Sequence, residues 1–300
     1  MANLMTSGIK MKNVLKAGTI ASLLIVWSSQ TIAGGGWPQP KGKGYFKLAE
    51  WWVSADQHYT SSGRKDPNVT SGLYNTLLYA EYGFTDRITG ILNVPLFSRS
   101  VTNNLISSTT QTVISEGAAI NTLGDVDISL KYGLINNGRV ALSASLMLGI
   151  PAGEDAGGVE RNLQTGDGEF NQMLRIDAGF PLAGTESFSL YANAYGGFNN
   201  RTNGFSDEVR FGAEVGIGVM KQKLWLVGRF DAIESRNNEP SLRAEAASFF
   251  ASNSEVQSLT GELSYLITDK FGVSAAVATA ISGKIVYAAP SYSIGVFVKM

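Results

Sequence analysis

Charged residues recur at every second position in several stretches of this 300-residue chain. Asp125, Asp127 and Lys131 alternate with Val126, Ile128 and Leu130, and Glu208, Arg210 and Glu214 alternate with Val209, Phe211 and Val215. A period of two throws successive side chains to opposite faces of a strand, so each stretch has one apolar and one charged face. The residues predicted to share the charged face are Glu50, Asp56, Glu81, Asp125, Asp127, Lys131, Arg175, Asp177, Glu208, Arg210, Glu214, Arg229, Asp231 and Glu262. Both signs are present. Unpaired charge in a dry interior is very costly, so these groups must be hydrated, paired, or both. Two readings stay open: a salt-bridged interior that only holds the sheet together, and a polar passage for small solutes.

Other chemistry finds little support. The sole histidine, His58, has Ser61 three residues on, where a strand points it to the opposite face, so no base–nucleophile pair and no catalytic residue is assigned. Glu154, Asp155, Glu160, Asp167 and Glu169 offer oxygen ligands but lack a twelve-residue Ca²⁺-loop pattern, and are read as a solvated surface with no metal. The absence of cysteine excludes disulfides and thiolate metal sites. The glycine-rich runs do not open helices, so no nucleotide or other cofactor is expected.

The elements that must position these residues are strands. Twelve are predicted, at 44–57, 71–84, 87–98, 123–134, 139–150, 169–181, 186–198, 207–220, 223–234, 256–268, 270–281 and 288–299. Their connections alternate. Tight turns follow every second strand, such as Asn136-Asn137-Gly138, where Asn-Gly suits a two-residue hairpin. Longer polar loops fall near 58–70, 99–122, 151–168, 199–206, 235–255 and 282–287. A soluble sandwich would show the same period of two. However, several strands run longer than the usual 5–6 residues of soluble sheets and approach the 9–11 of a tilted membrane-crossing strand. The predicted fold is all-β: a transmembrane antiparallel up-and-down barrel of about 12 strands. Aromatic residues support it. Tyr45, Phe46, Tyr82, Phe84, Tyr132, Phe180, Phe188, Trp225, Phe271 and Tyr292 are placed towards the turn ends, and Phe97, Tyr59, Phe170, Phe198 and Phe230 towards the loop ends, as interfacial girdles.

The chain divides into a signal peptide at 1–33, an N-terminal leader or plug at 34–43 and the barrel at 44–300. Lys10, Lys12 and Lys16 precede an apolar core from Ala17 to Trp27, and Thr31-Ile32-Ala33 supplies the small residues a signal peptidase needs. Removing that segment leaves 21 basic and 25 acidic residues, which makes nucleic acid an unsuitable partner. Two segments are candidates for gating. One is the leader, with Trp37. The other is the helix-like run from Glu239 to Phe250, where Leu242, Phe249 and Phe250 share a face.

A family resemblance rests on three fragments: Leu123-Gly124-Asp125-Val126-Asp127-Ile128-Ser129-Leu130-Lys131-Tyr132, Met147-Leu148-Gly149-Ile150-Pro151-Ala152-Gly153 and Leu163-Gln164-Thr165-Gly166-Asp167-Gly168. Their order resembles the outer-membrane channel family named for the meta-pathway of phenol degradation, distant relatives of the long-chain fatty-acid channels. The opening Gly34-Gly35-Gly36-Trp37-Pro38-Gln39-Pro40 also resembles the start of bacteroidete surface proteins. The resemblance implies an outer-membrane channel of a Gram-negative bacterium that moves small molecules passively, with aromatic or hydrophobic ones as candidates. Outer-membrane lipid, a small-molecule solute and the barrel-assembly machinery are its implied partners. That machinery reads an aromatic residue near the C-terminus, and Phe297 is the one available. The alternative is a structural or surface-interaction barrel whose extracellular loops bind polysaccharide or a partner.

Overall fold

The computed structural model describes residues 35–239 and 250–300. The signal peptide, and Leu242 and Phe249 of the helix-like run, lie outside the described residues.

Twelve long strands form a closed antiparallel barrel. They are β1 (Gly44–Tyr59), β2 (Lys65–Gly83), β3 (Ile88–Thr102), β4 (Val126–Asn136), β5 (Ala141–Ile150), β6 (Asn171–Gly184), β7 (Ser189–Arg201), β8 (Glu208–Val219), β9 (Leu224–Ser235), β10 (Glu255–Leu266), β11 (Phe271–Lys284) and β12 (Ser291–Lys299). Each pairs with its neighbours in sequence, and β12 returns to β1 from Tyr45↔Lys299 to Val53↔Ser291. Closure leaves no edge of unpaired backbone groups, which a hydrocarbon surround would not tolerate.

The outer face is apolar. Leu130, Leu146, Leu174 and Ile294 are each at least half exposed, and they come from strands whose alternate residues point inward. Large apolar side chains facing outward around a barrel mark a surface solvated by lipid. The tight turns form as their residues dictate. Gly138 takes a φ of 94°, which the hairpin turn after Asn137 requires.

Several details differ from the sequence reading. The connection expected at 58–70 is mostly strand. β1 runs on to Tyr59 and β2 begins at Lys65, because Gln57, His58 and Tyr59 keep pairing with Pro67, Asp66 and Lys65 above the lipid band. Tyr45, Tyr59 and Trp225 are not girdle residues: all three are buried inside, Tyr45 stacked on Phe297, Tyr59 donating its hydroxyl to the Ala280 carbonyl and Trp225 donating its indole N–H to the Gln222 carbonyl. Tyr292 lies at the loop end of β12, stacked on Trp52.

Glu50 and Asp56 face outward, contrary to expectation. On β1 the residues turned inward are Tyr45, Lys47 and Ala49, which border the interior cavity. Parity therefore sends Phe46, Leu48, Glu50, Trp52 and Asp56 the other way. Glu50 pairs across with Ile294 and Thr76 and accepts a 2.7 Å hydrogen bond from the Thr76 hydroxyl. Both faces of β1 mix polar and apolar residues, so its own pattern could not orient it. Glu50 lies between the Trp52–Tyr292 stack and Phe46, hence within the apolar band. A carboxylate there is unfavourable, though less so than a basic residue. Glu50→Leu is expected to stabilise the barrel by about 1 kcal/mol in liposome unfolding experiments, since the lipid face then becomes uniformly apolar.

Candidate functional site

The interior holds a cavity of about 390 Å³ bordered by charged and tyrosyl side chains from most of the wall. Its charges form chains of ion pairs. Lys47 Nζ lies 3.1 Å from Glu262 Oε1, and Arg229 Nη1 lies 2.7 Å from Glu262 Oε2. Arg229 also binds Glu214, which accepts hydrogen bonds from the Tyr191 hydroxyl at 2.6 Å and the Asn193 amide at 3.2 Å. Arg175 grips Asp177 with Nε and Nη2, the shortest contact being 2.6 Å. Its guanidinium also sits 3.7 Å from the centre of the Tyr195 ring. The Tyr195 hydroxyl donates to Asp231 at 2.8 Å. Asp127 accepts a longer bond, 3.4 Å, from Asn93.

The turn end of this cavity is occupied by residues 35–43. Gln39 donates its backbone N–H to Thr89 Oγ1 at 2.8 Å and its side-chain amide to Glu81 Oε2 at 2.8 Å. Glu81 is otherwise held by the Tyr79 hydroxyl and is almost fully buried. Lys131 donates to the Gly35 carbonyl at 2.8 Å. Trp37 meets Tyr191 edge-on at 5.8 Å, and Tyr191 in turn packs on Trp225. A β-carbon on Gly36 would come within 2.4 Å of the Ala141 carbonyl oxygen and 2.5 Å of the Gly179 nitrogen. Only glycine allows the leader so close to the wall. On the opposite wall Tyr45, Leu266 and Phe297 form a buried apolar cluster. Leader and cluster together narrow the turn end.

At the loop end, the three fragments that carry the family resemblance meet around one carboxylate. Asp125 accepts the Gly153 N–H at 2.9 Å and the Asp167 N–H at 2.8 Å. The Thr165 hydroxyl donates to the Leu123 carbonyl at 2.9 Å. Arg201, at the end of β7, ties this loop to the wall. Its side chain is 4% exposed and touches Asp167 at 2.9 Å, Glu169 at 2.7 Å and Glu208 at 2.8 Å. Glu208 also binds Arg210 at 2.6 Å. Asp167 and Glu169, expected on a solvated surface, are therefore buried members of a latch that ties residues 151–170 to the wall at the loop end.

Burial and the neighbouring Asp125 carboxylate push Asp167 up to about 6. The latched loop thus retains a proton that a freed aspartate would release at its ordinary, lower value. Stability gained from that proton is present below the ordinary value and is lost as pH rises through about 6. Hydrogen exchange at residues 152–168, corrected for intrinsic rates, is expected to show less protection at mildly alkaline than at mildly acidic pH. Equal protection would contradict the latch.

Of the sequence candidates, Arg175, Asp177, Glu214, Arg229, Asp231 and Glu262 border the cavity. Glu81 and Lys131 lie beneath the leader, Asp127 sits beside Asn93, and Asp125 and Arg210 belong to the mouth. Lys47 and Arg201 escaped prediction. Arg201 was within reach, because the alternation Asn193, Tyr195, Gly197, Asn199 continues onto it three residues beyond the expected strand end. Of the gating candidates, Trp37 lies in the lumen and Phe250 lies beside buried Ala251 and Ser252 at the mouth.

Solved structures with a similar fold include an outer-membrane channel from Pseudomonas putida F1, with a TM-score of 0.53 and 14% identity, covering 90% of this chain and 100% of that one. The β domain of the Bordetella autotransporter BrkA has a TM-score of 0.49 at 13% identity, covering 87% of this chain and 100% of that one. The NanC porin has a TM-score of 0.46 at 9% identity, covering 85% and 100%. No family model matches the chain, and the search of curated proteins gave no match. The fold is that of outer-membrane β-barrels.

Proposed function

We propose that this protein is an outer-membrane channel through which small solutes move passively along the barrel interior. The observation that carries this reading is the charged cavity of about 390 Å³ inside a barrel whose outer face is apolar. A barrel serving only as an anchor has no need of buried arginines and carboxylates, whose desolvation is costly. Twelve strands enclose a lumen between the filled eight-stranded barrels and the open porins of sixteen strands, so loops and leader set its effective bore. The convergence of the three motif fragments at Asp125 supports membership of the family they resemble, and the glycine-rich opening supports a bacteroidete origin. In this reading the signal is cleaved after Ala33, the assembly machinery inserts the barrel, and residues 34–43 act as the plug. Trp37 and Phe250 are gate residues at opposite ends of the lumen. Tyr45, Tyr79 and Tyr195 border the cavity through which an aromatic solute would pass. The signal-cleaved chain, purified and added to planar bilayers, is expected to give discrete conductance steps and to make liposomes permeable to small solutes. Bilayers that stay silent with verified inserted barrel would overturn the reading.

A further inference from the structure

The charge pairing along the lumen points to the kind of solute it favours: we infer that the passage selects cations over anions. This rests on the channel reading above and concerns its specificity. The mouth network sets four carboxylates, Asp125, Asp167, Glu169 and Glu208, against two guanidiniums, Arg201 and Arg210. Two negative charges remain uncompensated there when all ionise. Further in, among the described residues, the hydrogen bond to Asp127 comes from the neutral Asn93 amide, and the nearby Arg210 is already paired with Glu208. At the cavity, among the described residues, Asp231 takes its hydrogen bond from the neutral Tyr195 hydroxyl and forms no ion pair.

The basic groups of the cavity are all committed. Arg175 is held by Asp177, and Lys47 and Arg229 share Glu214 and Glu262. Among the described residues, the inward-facing lysines without a carboxylate partner lie past the cavity, at the turn end. Lys131 is 3% exposed and capped by the Gly35 carbonyl, and the Lys299 ammonium is buried. Neither neutralises the stretch between mouth and cavity. Residues 240–249 contribute one charge of each sign, Arg243 and Glu245. A narrow space with low-dielectric walls and excess charge of one sign concentrates the opposite ion and speeds its entry. Rings of Asp and Glu act in this way in cation channels. Tyr45, Tyr79 and Tyr195 border the cavity with Asp231, and aromatic rings attract an organic cation as well as an inorganic one.

The test is the reversal potential of the full signal-cleaved chain in planar bilayers across a potassium chloride gradient at neutral pH. A potential displaced towards that of potassium, with a permeability ratio of several fold, is expected. The double variant Asp127→Asn, Asp231→Asn keeps the hydrogen-bond acceptors and removes both charges, and is expected to bring the ratio close to one. Glu50→Gln, which alters only the lipid face, is expected to leave it unchanged. Tetramethylammonium chloride in place of potassium chloride reads the organic-cation limb directly. Current that reverses at zero or on the chloride side overturns the inference while leaving the channel intact. A double variant as selective as the parent overturns the role of these two carboxylates. Absence of any current refutes passage itself, and the inference with it.

Discussion

Replacing Gly36 with valine is expected to raise single-channel conductance several fold while leaving the barrel folded. The leader passes so close to β5 and β6 that a β-carbon at this position would overlap the Ala141 carbonyl and the Gly179 amide. Those atoms belong to the hydrogen-bonded wall and cannot retreat, so the leader must. Its withdrawal removes Trp37 from Tyr191, Gln39 from Glu81 and the Gly35 carbonyl from Lys131. Each wall group so freed is polar or amphipathic and can be rehydrated in the widened lumen, so the displacement carries little penalty for the barrel. The Tyr45–Leu266–Phe297 cluster stays in place, which limits the gain. Conductance steps of the variant in bilayers, beside an unchanged circular-dichroism spectrum, check this. An unaltered conductance would mean that ions bypass the leader.

Arg201→Met is expected to destabilise the mouth by about 3 kcal/mol, because deleting one partner of a buried ion cluster strands the others. Three carboxylates, Asp167, Glu169 and Glu208, lose their shared guanidinium. Arg210 still serves Glu208, whereas Glu169 retains only Thr202. Residues 151–170 then gain by swinging into water, where the carboxylates are hydrated. Loss of hydrogen-exchange protection confined to this loop is the expected signature, together with noisier open-channel current. Lysine at the same position is expected to rescue only part of the effect, since one ammonium cannot reach three acids in the fixed planes that guanidinium serves. Full protection in the methionine variant would show that the Asp125 hydrogen bonds alone hold the loop.

The sequence by itself determined the twelve strands, their tight turns and the apolar outer surface. Each of these follows from local rules: a period of two for a half-buried strand, Asn-Gly for the turn at 137–138, and enough length to cross a bilayer. The inward placement of Asp127, Lys131, Glu208, Arg210 and Glu214 was legible for the same reason, because their strands β4 and β8 have one clean apolar face. Strand β1 has none. There, Glu50 and Lys47 changed places relative to expectation, and only cross-strand register against β2 and β12 could decide between them. Pairing was equally beyond local pattern. Arg201 meets acids 32, 34 and 7 residues away in the chain, and Lys47 meets an acid 215 residues away. The leader's fate depended on space. In sequence, residues 34–43 read as a leader or plug, and only the closed wall showed that the missing side chains of Gly35 and Gly36 make room for that segment inside the barrel. A strand's own residues state which faces it has. Which face turns inward, and what it meets there, is set by closure of the whole sheet, because charge pairing and steric fit are properties of the assembled lumen.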